Sequence, residues 1–148
     1  MNVEERIGTK KVLPLNSKTI IHYMLVNNTI DEAIGKALKP YDVSLQQFNV
    51  LRILRGQNGK PANLSTINNR MITKMSNTTR LVDKLLIKGY LNRVVCPSNR
   101  RKIEITITEK GKKALIKMDK AIEDAENKLL NSFNRKELEQ LNILLNKF

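Results

Sequence analysis

The chain has 148 residues, with 27 Lys and Arg against 14 Asp and Glu and a net charge of +13. At this length one domain buries about 68–70% of its unfolded surface, and 41% hydrophobic residues exclude a chain disordered throughout. One Cys and one His exclude an internal disulfide framework and a Cys- or His-rich metal site, and no apolar run reaches the ~20 residues of a membrane span.

In chain order, residues 1–16 read as a mobile or loosely docked arm, without the continuous apolar core of a secretory signal. Pro14 blocks helix until just after it. Asn16 or Ser17 is the candidate cap of a first long helix ending near Lys39, before Pro40. Ile20, Met24, Ile30, Ile34, Ala37 and Leu38 recur at helical spacing, and Ile21, Tyr23, Leu25 and Val26 widen the apolar surface. Such a helix has more than one packing partner. Ser44 with Gln47 is a capping box opening a helix over Leu45–Arg55 that buries Leu45, Phe48, Leu51 and Leu54 or Val50. Turn residues 56–61 lead to a short helix near Asn63–Arg70. Thr73 is then expected to cap a helix over Lys74–Lys88, which Gly89 ends.

On that helix Met75, Thr78, Val82, Leu85 and Leu86 share one side, and Ser76, Asn77, Thr79, Arg80, Asp83 and Lys84 the other. Ser, Asn and Thr are poor helix formers. Their presence on the outward face makes sense if small hydrogen-bonding groups must approach another surface closely. After Tyr90 the period becomes two. Leu91–Cys96 and the Ile103, Ile105, Ile107 alternation form a β-hairpin, with residues 97–101 expected as an arginine-tipped turn. Thr108 caps a long helix whose Leu115, Met118, Ile122, Ala125 and Leu129 follow seam spacing. Asn134 with Glu137 caps the last helix, which presents Leu138, Leu141, Leu144, Leu145 and Phe148.

Residues 74–113 hold eleven Lys and Arg and three acids, a net +8 that leaves +5 for the other 108 residues. The bland reading of this block is a solvated basic face. The element order gives a sharper one: a winged helix-turn-helix whose polar helix enters a DNA major groove while the arginine-bearing hairpin reaches a flanking minor groove or backbone. Lys74, Ser76, Asn77, Thr79, Arg80, Lys84, Arg100 and Arg101 are the candidate DNA contacts, with Ser65 of the preceding short helix a backbone-contact candidate.

Over residues 17–148 the sequence resembles the MarR family of bacterial transcriptional regulators. The match runs from Met75-Ser76-Asn77-Thr78-Thr79-Arg80-Leu81-Val82-Asp83-Lys84-Leu85 through Lys88-Gly89-Tyr90-Leu91 and Arg100-Arg101. It continues into Ile105-Thr106-Ile107-Thr108-Glu109-Lys110-Gly111. The family's wing commonly reads Asp-Pro-x-Asp-Arg-Arg. Here Cys96-Pro97-Ser98-Asn99-Arg100-Arg101 lacks both acids, which makes the tip more cationic.

The resemblance implies one domain over residues 1–148. The fold is mainly α with a small β-hairpin wing: a winged helix-turn-helix lobe (44–108) plus N- and C-terminal dimerisation helices (17–39 and 109–148). It implies a homodimer on a pseudo-palindromic operator, usually a repressor released by a small molecule or an oxidant. Interface candidates are Ile20, Leu115, Met118, Ile122, Leu141 and Leu145, the seam from Leu115 being either core or interface. His22, Tyr23, Tyr41 and Phe48 are candidates to line a crevice for an aromatic or phenolic effector, or are ordinary packing. Cys96 is an oxidant-sensing candidate or a plain strand residue; its neighbouring arginines would favour the thiolate.

The reading is therefore a cytoplasmic DNA-binding regulator, with no cofactor, metal or membrane partner. The alternative is a winged-helix module for protein or RNA. An enzyme is not expected, because there is no glycine-rich nucleotide loop and no revealing carboxylate pair. The operator, the regulated genes, the effector and the sign of regulation are not written in these residues.

Overall fold

The computed structural model describes residues 2–74 and 76–148. Its elements are α1 (Val3–Arg6), α2 (Leu15–Leu38), a 3-10 turn (Lys39–Tyr41), α3 (Leu45–Arg55), α4 (Leu64–Arg70) and α5 (Thr78–Ile87). They are followed by β1 (Leu91–Cys96), β2 (Asn99–Ile107), α6 (Glu109–Leu129) and α7 (Arg135–Leu145). Both capping boxes form: Ser44 Oγ accepts from the Gln47 N–H at 3.1 Å while Gln47 Oε1 accepts from the Ser44 N–H at 2.9 Å. Asn134 and Glu137 do the same for α7. Thr108 caps α6 through the Gly111 N–H. Gly89 ends α5 at φ 72°, its N–H bonded to Leu86 O and the next N–H to Leu85 O, a left-handed closure that glycine adopts without a Cβ clash.

One core joins every layer. Phe48, Val50, Leu51 and Leu54 of α3 pack with Ile67 of α4, Leu81, Val82 and Leu85 of α5, Leu91 and Ile105 of the hairpin, and Ile34 and Leu38 of α2. Leu115 and Met118 (each 0% exposed) and Ile122 (8%) complete it. This corrects the interface expectation for those three, which bury against their own chain, whereas Ala125 and Leu129 further along the seam stay half-buried. Seam spacing states that a helix is covered but not by which chain. Ile20, Leu141 and Leu145, by contrast, stay exposed.

Three further corrections concern boundaries. The arm is docked in part: α1 places Val3 in a buried position, and Glu4 pairs with Lys18 of α2 at 2.9 Å. That ion pair holds the Glu4 carboxyl below its ordinary value. Helix α2 starts at Leu15 with Pro14 at the N-cap and no side-chain cap, so neither Asn16 nor Ser17 has that role; Pro tolerates the helix start because its missing N–H has no partner there. Helix α5 starts at Thr78, with Asn77 rather than Thr73 at the N-cap position and no side-chain cap there. The apolar position expected at Met75 lies outside the described residues. Among the described residues no helix is long and apolar enough to cross a membrane.

Candidate nucleic-acid interface

Helix α5 is oriented by its buried stripe. Thr78 is 7% exposed, and its Oγ1 donates to Asn68 Oδ1 of α4 at 3.0 Å, a polar tie that holds the two helices of the helix-turn-helix together. Leu81, which falls on the buried side as well, was not among the expected core positions of this helix. With this face committed, Thr79, Arg80 and Lys84 of the helix and Ser76 and Lys74 ahead of it are exposed. Arg80 enters no ion pair among the described residues. Asn77 is half-buried, and its Oδ1 accepts no hydrogen bond among the described residues. Lys84 also lines a hollow with Lys36, Lys39 and Asp42, and its charge helps to lower the Asp42 carboxyl, after the larger effect of Lys88.

Two devices hold the wing to the rest of the lobe, one on this helix and one on the segment before α4. Arg93 of β1 pairs with Asp83 of α5 at 2.8 Å, so Asp83 is an anchor and not part of the open face. Ala62 pairs with Ile105 through two backbone hydrogen bonds of 2.9 and 2.8 Å, adding the segment before α4 as a third short strand position. The turn itself is Pro97–Ser98 alone, so Arg100 and Arg101 lie in β2 and not at the tip.

The pairing is irregular here, Val95 opposing Ile103 but Cys96 opposing Asn99, so simple strand alternation does not carry through residues 100–102. Arg101 lines a hollow of about 320 Å³ with Asn63, Ser65 and Lys102. Ser65 thus joins the wing rather than standing alone on α4. Lys102, exposed on β2, is a cation that the expected contact set missed; the Arg-Arg-Lys run carried the signal.

The remaining expectations separate. Phe48 is 2% exposed in the core under the Arg52 guanidinium. Tyr23 stacks on Phe148, ring centroids 6.1 Å apart. Tyr41 donates to the Lys117 carbonyl at 3.3 Å. His22 lies half-buried on α2. These four do not line one crevice, because Phe48 faces the interior and Tyr23 an exposed helix flank. Cys96 ends β1 with its Sγ 3.1 Å from Ser98 Oγ. Its thiol is lowered by that contact and by the Ser98 and Asn99 backbone, against burial and Glu104. The neighbouring arginines are not the cause.

The MarR family's sequence profile matches residues 43–103, from the start of α3 into β2. The HTH-type transcriptional regulator PecS of Dickeya dadantii is 30% identical over 123 residues, covering 81% of this chain and 73% of that protein. The multiple antibiotic resistance protein MarR of Escherichia coli is 28% identical over 102 residues, covering 68% of this chain and 66% of that protein. A cysteine-to-serine variant of E. coli MarR complexed with operator DNA has the same fold, with a TM-score of 0.76 at 22% identity over 99% of this chain and 98% of that one. The fold and this surface are those of a winged-helix regulator, and the chain belongs to the MarR family.

Proposed function

We propose that this protein is a sequence-specific double-stranded DNA-binding transcriptional regulator, acting as a homodimer that represses from a pseudo-palindromic operator and is released by a small ligand. The observation that carries the reading is Arg80, exposed and in no ion pair among the described residues, beside Thr79 on a helix locked from behind by the Thr78–Asn68 hydrogen bond, with Ser76 exposed just ahead of it. Arg101, Lys102 and Ser65 lie together on the flanking wing hollow. The helix offers groups that read base edges, and the wing hollow offers a seat for backbone phosphate.

The dimer is supported by α7, which has no buried residue although Leu141, Ile143, Leu144 and Leu145 are apolar. Helix α2 likewise exposes Ile20, Tyr23, Met24 and Ile30. Two-fold pairing of these helices sets two copies of α5 about one helical turn of DNA, roughly 10 bp, apart. The names of PecS and of the MarR–operator complex support the same activity.

Selection of bound duplexes from random DNA at fixed salt tests the reading. The expected product is a two-fold repeated half-site preferred over random duplex by ~10³ or more. Equal affinity for unrelated sequences, with the same salt slope, would reject operator recognition.

A further inference from the structure

Tyr41 at the end of the 3-10 turn, Tyr90 at the joint between α5 and β1, and Lys110, Lys113, Ala114 and Lys117 of α6 line a hollow of about 480 Å³. That size lies within the range of small-molecule sites. Its charge is one-sided. No carboxylate lines it, and the acids nearest along the chain are engaged elsewhere, Glu109 by Lys112 and Asp119 by Arg55. Lys110, Lys113 and Lys117 enter no ion pair among the described residues.

These three lysines, spaced i, i+3 and i+7, share one helix face, where like charges repel. The hollow beneath Lys36, Lys39 and Lys84 differs: Glu32 and Asp42 stand in its wall.

The apolar part of the site is aromatic in a chain with only three Tyr and no Trp. Both tyrosines are half-buried. Tyr41 is fixed by its hydrogen bond to the Lys117 carbonyl, and the Lys110 ammonium lies 5.8 Å from the Tyr90 ring centroid. The lining therefore combines two aromatic side chains with three point charges. A singly charged acid would neutralise only one of those charges.

We propose that this hollow is a binding site for an aromatic polyanion of the nucleoside-diphosphate type, its base against the Tyr41 and Tyr90 rings and its phosphates on Lys110, Lys113 and Lys117. Lysines bind phosphate as point charges, so no glycine-rich loop is needed. The site shares no residue with the surface assigned to duplex DNA and stands or falls apart from that assignment.

Calorimetric titration of the full chain at fixed ionic strength, with adenosine diphosphate, pyrophosphate, adenosine and benzoate in parallel, tests this. Adenosine diphosphate is expected to bind saturably at one site per chain, about tenfold or more tighter than pyrophosphate, the factor one stacked base contributes. Adenosine and benzoate are expected to bind more weakly still. The exposed pair Lys113→Gln and Lys117→Gln should lose about tenfold or more, Lys113→Arg should retain binding, and Tyr90→Leu should bring the diphosphate down to the level of pyrophosphate.

Absence of saturable binding by wild-type protein overturns the proposal. So does equal affinity for pyrophosphate and the diphosphate, which would mark a patch for phosphate alone. Tighter binding of benzoate overturns it in favour of a simple aromatic acid. If the lysine pair instead lowers duplex affinity and its salt slope while leaving nucleotide binding unchanged, the patch grips flanking DNA and the proposal fails.

Discussion

Arg80 and Arg101 are proposed to do different work because their backbones differ. Arg80 stands exposed on a helix whose opposite side is buried, whereas Arg101 leaves a strand to line a hollow with Ser65 and Lys102. Arg80→Ala is expected to weaken duplex binding by about 1–3 kcal/mol and to relax preference at one position of each half-site. Arg101→Ala should weaken binding to all duplexes and reduce the salt slope by about one. Electrophoretic mobility shifts at several salt concentrations measure both, with sedimentation confirming an unchanged dimer; wild-type affinity in both variants would undo these roles. The residue types were legible in the sequence, as was the polar face between the lysines. Which cations were already paired was not. Asp83 and Arg93 are ten positions apart and meet only because the hairpin folds back on α5.

At the scale of elements, the joint between α5, the wing and α6 is closely packed at Gly111. Thr108 donates to Gly89 O at 2.7 Å, its backbone N–H bonds Tyr90 O, and Gly111 lies so close that an added Cβ would clash with Tyr90 O and sit 2.9 Å from Ile107 Cγ1. Ala has the better helix propensity, by about 1 kcal/mol, but here it must displace a backbone carbonyl. Gly111→Ala is therefore expected to destabilise by about 1–3 kcal/mol, the usual cost of overpacking. Urea denaturation with an unchanged slope would measure it, and a stabilised variant would contradict the close contact.

Element existence and most of the caps were readable because capping boxes and hydrophobic periods are local signals. The start of α5 was not. Thr73 and Asn77 both suit an N-cap, and the choice between them is made by Thr78 reaching Asn68 on another helix.

Across the whole molecule, apolar surface remains on α2 and α7 after the core is complete. Leu141→Asp with Leu145→Asp is expected to convert a dimer to monomers without unfolding the lobe, since neither side chain contributes to the core. Light scattering with circular dichroism separates the outcomes: a dimer that persists would rule out α7 as the interface.

The docked arm carries a pH dependence of defined sign. Glu4 is lowered by its hydrogen bond and ion pair with Lys18, so docking favours the carboxylate. That contribution is fully present above the ordinary carboxylate range and is lost as pH falls through the lowered value. Protease cleavage between α1 and α2 should accelerate in that acidic window in wild type. In Glu4→Gln cleavage should be equally fast on both sides of it; a pH step retained in that variant would assign the effect to another group.

By itself the sequence determined the order of elements from α2 onward, the caps that bound α3, α6 and α7, the glycine that closes α5, and the +8 block that singled out one helix and one hairpin. Each of these depends on groups within a few residues of one another, where hydrogen-bond geometry and side-chain period are fixed by spacing. The tertiary structure alone decided that Leu115, Met118 and Ile122 of α6 belong to the core, that Arg101 joins Ser65 and Lys102 at one hollow, and that Tyr41 meets Lys117 across 76 positions. A helical or strand period says which side chains share a face. What covers that face is settled only when the whole chain competes for the same buried volume.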